Sequence, residues 1–550
     1  MIKGFSIQIN SSENTFNSFL QNNYDDFYLQ TENFDFLFEG VLLNKKKLLK
    51  EFALKDFETF IREKYRNQKE QIINLFEGEY RGFIVDKIQN KIFIFTNITS
   101  TQRVFYGKFK DTIFIDSSLI RLNENLKKSG VISEPDEESL YQLLCFGNLP
   151  EDKTPIYKVK KLLDGCFLEI DLNTLELTEK QYFSLADISR STLNKEKSID
   201  KVHEIFTESI VLEYEKDAEL NTNHLAFLSG GLDSRVAMLY AIKNGYKPDN
   251  ALCFSQSNYF DHTISKKIAE DFNIHYEFIP LDEGRFLNKI DELIEISEGM
   301  SFFTGAIHVQ HALENMQYEN FALFHGGAIG DGVLGAFNSE PKRKKPTGYK
   351  FIGNDFFLPK VQNSLDKMID DYETEELFLI RNIAFNRTVI GAHVLEKKAY
   401  QTSPFMTKDF LKFAISIPEE WKYKHQFYVE WINKHCLEAT KYRWERTLMK
   451  PNAAWKTTFG DQVVKRGFNI LNNKIFKMPQ AASMYPYQYY FEKNSNLQNI
   501  YQTYFEDNIG RIEAFPELQQ DLITLFSSKK FHYKCQSINI LGIFKLYFSK

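Results

Sequence analysis

Leu228-Ser229-Gly230-Gly231-Leu232-Asp233-Ser234 is the stretch around which the rest of the chain is read. The residues ahead of it, His224-Leu225-Ala226-Phe227-Leu228, form a short apolar run suited to a buried strand. Behind it, from Arg235 to Lys243, Val236, Leu239 and Ala241-Ile242 are spaced as one apolar helix face. Strand, small-residue turn and helix are therefore expected in that order. Gly230 and Gly231 let the backbone approach a ligand, and the helix start offers N–H groups without intrahelical partners. Ser229 and Ser234 add hydroxyl donors, which suits a phosphate. Asp233 would repel a phosphate unless a cation lay between them, so it reads as a Mg²⁺ ligand.

The turn is neither GxxxxGK[ST] nor GxGxxG. Its Ser-Gly-Gly-Leu-Asp-Ser string resembles the pyrophosphate loop of the N-type ATP pyrophosphatases, which cleave ATP between the α and β phosphates. A glycine turn can join any strand to any helix, but the whole hexapeptide in this setting favours the nucleotide reading.

A chain of 550 residues is too long for one core, and two or three domains are expected. Its 43% apolar and 15% aromatic content fits globular packing. A net charge of −6 with mixed signs argues against a nucleic-acid surface over the whole protein. No apolar run is long enough to cross a bilayer, and the start lacks a secretory pattern. Cys145, Cys166, Cys253, Cys436 and Cys535 stand far apart without a CxxC pair, as expected of a protein in a reducing cytoplasm.

Up to about residue 180 short alternating strands dominate: Gly4–Ile9, Phe34–Leu43, Tyr80–Asp86, Lys91–Thr96, Val104–Phe109, Thr112–Asp116 and Gly165–Asp171. Helices are expected over Leu43 to Tyr65 and Glu138 to Phe146, which together predict a layered α+β domain. Ser189–Ser198 reads as a polar linker. From Ile199 helix and strand alternate, predicting a doubly wound parallel sheet and an α/β second part. After about residue 360 the pattern is mainly helical.

This order of parts resembles the glutamine-dependent asparagine synthetase family, of the asparagine synthetase B type. The resemblance implies an Ntn-hydrolase-like glutaminase domain over residues 1–188 and an ATP pyrophosphatase (synthetase) domain over 199–550. Glu39-Gly40-Val41-Leu42-Leu43-Asn44 stands where the family has Asn-Gly-Glu-Ile-Tyr-Asn, and Gly78 to Phe83 and Arg103 to Tyr106 echo its later strands. The family's nucleophile is a cysteine at position 2, where this chain has Ile2. Its oxyanion-stabilising asparagine is replaced by Glu39, whose charge opposes a developing oxyanion. Thr96-Asn97-Ile98 replaces an Asp-Arg pair. The first domain is expected not to hydrolyse glutamine, as in β-lactam synthetases and lasso-peptide cyclases.

In the second part, Ala251 to Ser255 reads as the next parallel strand, placing Ser255 near the adenosine at a strand's C-terminal end. Phe321 to Gly335 holds another glycine cluster, with Gly327 in the turn and Asp331 on the family's metal-binding aspartate. The resemblance implies ATP on Leu228, Ser229, Gly230, Gly231, Asp233 and Ser234, with Mg²⁺ on Asp233 and Asp331. Ala328 replaces the family's glutamate, which puts asparagine in question as the product. Thr407, in Ser403-Pro404-Phe405-Met406-Thr407, replaces an acid. The run Pro341 to Pro346 reads as a solvated loop, with a lid over phosphates as the sharper option. A late lysine should face the α-phosphate: Lys450 is favoured, with Lys456 second. The aromatic cluster Tyr485 to Phe491 reads as helix packing.

The expected activity is an AMP-forming carbon–nitrogen ligase that adenylates a small-molecule or peptide carboxylate. It then joins the acyl group to ammonia or an amine; a homodimer is an allowed assembly, and neither membrane nor nucleic acid is expected as a partner. The rivals are a non-catalytic structural relative and another N-type ATP pyrophosphatase, such as a tRNA-modifying enzyme. The latter would want paired cysteines and a basic face.

Overall fold

The computed structural model describes residues 3–21, 24–396, 398–476 and 478–548. Ile2 lies outside the described residues. Eleven described strands fill the first third of the chain: β1 (Gly4–Ile9), β2 (Asn14–Phe19), β3 (Phe27–Gln30), β4 (Phe34–Leu42), β5 (Gly78–Asp86), β6 (Lys91–Thr96), β7 (Phe105–Phe109), β8 (Thr112–Asp116), β9 (Lys160–Lys161), β10 (Cys166–Asp171) and β11 (Glu176–Gln181). They form two antiparallel sheets, ordered β2-β1-β8-β7-β9 and β11-β10-β6-β5-β4-β3. Side-chain alternation sets the layers. Leu37 of β4 joins Phe5, Ile7, Ile113 and Ile115 in one cluster between the sheets. Its neighbours Phe36 and Phe38 turn the other way, onto Phe57, Phe60 and Ile61 of the Phe57–Gln68 helix. Phe114 of β8 likewise meets Leu119, Leu122 and Leu126 of the Leu119–Lys128 helix. The result is helix, sheet, sheet, helix.

The second sheet system is parallel throughout. It comprises β12 (Leu225–Phe227), β13 (Asn250–Ser255), β14 (His275–Pro280), β15 (Leu323–His325) and β16 (Tyr400–Thr402), in the order β14-β13-β12-β15-β16. The strand order reverses between β12 and β15, so the loops leaving these two strands face a common crevice. Helices dominate after residue 403. The fold is thus mixed α/β, with antiparallel layers, a parallel sheet and a helical C-terminal part. One apolar cluster runs from Ile98 and Phe105 through Phe206 and Trp431 to Tyr547, joining both parts. No helix among the described residues is long and apolar enough to cross a membrane.

Several local expectations are corrected. The stretch Leu43 to Tyr65 holds two helices, Lys45–Glu51 and Phe57–Gln68; Ala53 at φ 52° breaks the run and Asp56 caps the second helix through the Thr59 N–H. Ser189–Ser198 is not a free linker. Asn194 caps the Lys195–Leu220 helix, Ser198 is buried, and Ser191 N–H donates to Ser416 O at 2.9 Å. The strand read from His224 to Leu228 shortens to β12, although Leu228 N–H still donates to Leu252 O at 2.9 Å. The helix packing expected of the aromatic cluster is present: Tyr490 and Phe491 are buried, with Phe491 stacked on Phe531.

Candidate active site

The loop after β12 is held by its own hydroxyls. Ser234 Oγ accepts from Ser229 N–H at 3.1 Å and lies 3.0 Å from Ser229 Oγ, which accepts from Gly231 N–H at 3.1 Å. Gly230 is tied on both sides: its N–H donates to Asp261 Oδ1 at 2.7 Å, and its carbonyl accepts from Glu445 N–H at 3.0 Å. Burial pushes Asp261 up to about 6, with the Glu445 charge adding to the rise. Beneath the loop, the fully buried Arg235 donates to four carbonyls. Nη2 reaches Gly230 at 2.8 Å and Arg443 at 2.7 Å, while Nη1 reaches Ala439 at 3.0 Å and Tyr442 at 3.4 Å. Burial alone suffices to bring this guanidinium down to about 10.

The loop after β15 presses against the first. A Cβ on Gly327 would stand 2.3 Å from Asp233 C and 2.4 Å from Ser234 N, so only glycine permits this contact. Gly330 is also tight, with Asp233 Cγ and the Phe405 ring 2.8 Å from where its Cβ would be. Between them Ile329 takes φ 64°, a conformation costly for a β-branched residue and held here by the packing around it.

The contact aligns the two aspartates. Asp233 Oδ2 accepts from the Asp331 N–H at 2.8 Å and Oδ1 from the Tyr428 hydroxyl at 2.8 Å. Burial, reinforced by the Asp331 charge, lifts the Asp233 carboxyl well above the usual carboxylate range. Burial also works to raise Asp331, but His425 and Arg446 outweigh it and hold that carboxyl low. Arg446 Nη1 donates to Asp331 Oδ2 at 3.1 Å.

Both loops border one cavity of about 630 Å³. Ser229, Gly231, Leu232, Asp233, Ser234, Gly327 and Asp331 line it from the strand ends, and Trp444, Glu445, Arg446 and Asp461 complete the lining. Leu228 and Gly230 are buried and do not line it. Ser255 does not line the cavity. It is fully buried, its hydroxyl donates to Gln256 O at 3.0 Å, and the following Gln256 N–H donates to Met484 O at 2.8 Å, so the late chain covers this strand end.

The late lysines are not there either. Lys450 is exposed, and Lys456 donates to Asn452 Oδ1 at 2.7 Å. A tight turn explains this: Leu448 N–H donates to Trp444 O at 2.7 Å and Trp444 N–H to Met449 O at 2.9 Å, with Leu448 at φ 58°. That turn directs Arg446, not Lys450, to the cavity. Sequence reasoning missed Arg235, Asp261, Tyr428 and Arg446. Arg446 lies only four residues ahead of Lys450.

In the two-sheet part, Glu39 is fully buried and paired with Arg81 through Nε to Oε2 at 2.7 Å and Nη2 to Oε1 at 3.1 Å. Arg81 Nη1 also donates to the carbonyls of Arg103 at 3.0 Å and Ser117 at 3.2 Å. Burial works against the charge of Glu39, yet Arg81 outweighs it and holds the carboxyl below its usual value. Thr96 donates to Gln102 O, and Asn97 Nδ2 to Thr101 Oγ1 at 2.7 Å, so both serve the turn that follows β6.

No family model matches the chain. Over 199 aligned residues it is 26% identical to asparagine synthetase [glutamine-hydrolyzing] 2 of Bacillus subtilis (strain 168), covering 31% of this chain and 25% of that protein. The matched region thus spans a quarter of that relative's length. Among solved structures, glutamine phosphoribosylpyrophosphate amidotransferase from B. subtilis, complexed with ADP and GMP, is similar at 11% identity and a TM-score of 0.22. A structure described as the allosteric regulatory enzyme of purine biosynthesis is similar at 10% identity and a TM-score of 0.22. In each case 50% of this chain is covered and 58% of the other. In sequence, part of this chain is thus similar to a glutamine-hydrolysing asparagine synthetase.

Proposed function

We propose that the chain is an ATP-dependent, AMP-forming ligase that activates a carboxylate and converts it to an amide. The observation that carries this reading is the meeting of the Ser229–Ser234 loop, Asp233 and Asp331 in one cavity at the strand-order reversal. The hydroxyls and helix-start amides of the first loop suit the phosphates of ATP. Asp233 and Asp331 would hold Mg²⁺. They fit it because both are hard oxygen donors, and because the two carboxylates lie close enough for the charge of one to raise the other. Bound there, the ion would neutralise triphosphate charge.

The substrate carboxylate attacks the α-phosphorus and pyrophosphate departs. Ammonia or an amine then displaces AMP from the acyl group, giving the amide. Arg446 stands on the cavity wall beside Asp331, where a cation stabilises developing negative charge. The nitrogen does not come from glutamine hydrolysed by this chain. Glu39 stands where the resembling enzymes place a neutral oxyanion donor, and its carboxylate is committed to Arg81.

Pyrophosphate exchange into ATP across a panel of carboxylates tests the reading. One or more acids should support exchange and release AMP; a productive acid that released ADP and phosphate would overturn adenylation. ATP binding without turnover on any acid would favour a non-catalytic relative. Glutamate release from glutamine would overturn the assignment of the nitrogen source.

A further inference from the structure

A second cavity, of about 460 Å³, lies beside the first, and Arg446 and Asp461 border both. Its lining is cationic: Lys344, Lys350, Lys424 and Arg446 face it, against the single carboxylate of Asp461. These cations are unequally neutralised. Arg446 has Asp331 at 3.1 Å, and Lys344 has Glu340 at 3.4 Å. Lys350 donates to the Ala336 carbonyl at 2.7 Å, and neither it nor Lys424 has a carboxylate within 4.0 Å among the described residues. Burial draws Lys350 below its ordinary value, and Lys344 and Arg446 add to this against the opposing Glu375, as expected where positive charges crowd together.

One further group lacks a hydrogen-bond partner. Thr457 Oγ1 is buried, borders this cavity, and has no hydrogen-bond partner among the described residues, while His425 Nε2 on the same wall faces Asp331 Oδ2 at 3.8 Å. Buried polar atoms are normally satisfied, and an orphan on a cavity wall points to a ligand that completes it. The run Pro341 to Pro346 thereby gains a part beyond a solvated loop, because Lys344 sits on the wall.

We propose that this second cavity holds the carboxylate acceptor and that the acceptor is a polyanion. The group to be activated lies toward Arg446 and the shared edge, and at least one more anionic group lies on Lys350 and Lys424. This rests on the ligase reading above and narrows its substrate class. A monoanionic acid with a neutral tail would leave Lys350 and Lys424 without a counter-charge, which disfavours it relative to a multiply charged acid. The same chemistry could instead serve the β and γ phosphates of ATP, so the test separates the two.

Titration calorimetry on the full chain, with Mg²⁺ at 0.15 M salt, would use propane-1,2,3-tricarboxylate, butyrate and a non-hydrolysable ATP analogue. The tricarboxylate should bind saturably and butyrate should not. The double variant Lys350→Gln/Lys424→Gln should weaken the tricarboxylate at least tenfold and leave the ATP analogue within about twofold. Lys350→Arg/Lys424→Arg should retain tricarboxylate binding, which guards against mere loss of folding. Unchanged tricarboxylate affinity in the glutamine variant, or no binding by wild type, would overturn the proposal. An equal loss for the ATP analogue would assign the lysines to the nucleotide and overturn it too. Expected tricarboxylate binding with no pyrophosphate exchange on any acid would overturn the ligase reading while leaving the anion site.

Discussion

Asp331 reaches Asp233 through its backbone: its N–H donates to Asp233 Oδ2 at 2.8 Å, leaving both carboxylates on the same cavity. Asparagine at 233 keeps an oxygen acceptor for one of the two hydrogen bonds and removes the charge repulsion with Asp331. Asp233→Asn should therefore match or exceed wild type in melting temperature without ligand. The rise in melting temperature that Mg·ATP confers by binding the folded state should vanish, and pyrophosphate exchange should fall about a hundredfold or more. Differential scanning fluorimetry with and without nucleotide reads both halves.

The two neighbouring glycines make an internal control. Gly327→Ala drives a Cβ against the backbone of Asp233 and Ser234, which cannot yield without moving the loop. The expected cost is about 1–3 kcal/mol, with nucleotide binding lost. Gly231→Ala meets only the Ser229 hydroxyl, at 3.1 Å, which can rotate away. It should fold as wild type and keep much of its affinity.

Arg446 and Lys450 separate in the same assay. Arg446→Gln should lower exchange at least tenfold, because the side chain borders the cavity and holds Asp331. Lys450→Ala, an exposed position, should change exchange less than twofold.

The Glu39–Arg81 pair predicts an asymmetric stability result. Glu39→Ala strands a buried guanidinium and should cost about 3–5 kcal/mol, seen as an earlier first transition in denaturant. Removing both partners in Glu39→Met/Arg81→Met should recover most of that loss. A first transition left unmoved by Glu39→Ala would count against the pair as a structural element.

His325, at the end of β15, gives a pH dependence with a definite sign. Its Nε2 meets Asp217 Oδ2 at 2.6 Å; Nδ1 meets Thr402 Oγ1 at 3.0 Å and faces Glu213 Oε2 at 3.4 Å. Tyr214 stacks on the ring at 4.0 Å, and His224 Nδ1 shares Asp217 Oδ2 at 2.8 Å. Burial opposes protonation, but Asp217 and Glu213 prevail and raise the imidazole to about 9. A histidine raised in the folded state stabilises fully below its unfolded value near 6.5, and loses that contribution as pH climbs through 9. Stability should decline between these limits by roughly 3 kcal/mol. His325→Asn should flatten that decline, as read from denaturant midpoints at pH 6, 8 and 9.5.

The strand–loop–helix unit was legible because its signal is local: a short apolar run, small residues, then a helical period. The same holds for the interior strands of the antiparallel sheets. In the antiparallel sheets the strands not legible in the sequence, β2, β3, β9 and β11, are the four edges, and β2 (Asn-Thr-Phe-Asn-Ser-Phe) and β11 (Glu-Leu-Thr-Glu-Lys-Gln) carry the polar sequences an exposed edge favours; β16, an edge of the parallel sheet, was not legible either. The Leu119–Lys128 helix was missed as well, although Ser118 caps it and three leucines mark its inner face. Within the site, the serines and aspartates announced themselves by type and spacing. Tyr428, Asp261 and Arg446 did not, because each reaches the loops across a long sequence separation that only the packed fold closes.

Arg235 binds carbonyls of the loop and of residues 439–443 to one guanidinium, and no carboxylate lies within 4.0 Å of it among the described residues. Its grip depends on backbone shape alone, so no side-chain swap nearby can compensate for its loss. The floor and the roof of the crevice are in this sense a single part. Any graft or truncation that disturbs the roof will surface as a defect in the floor, some two hundred positions upstream.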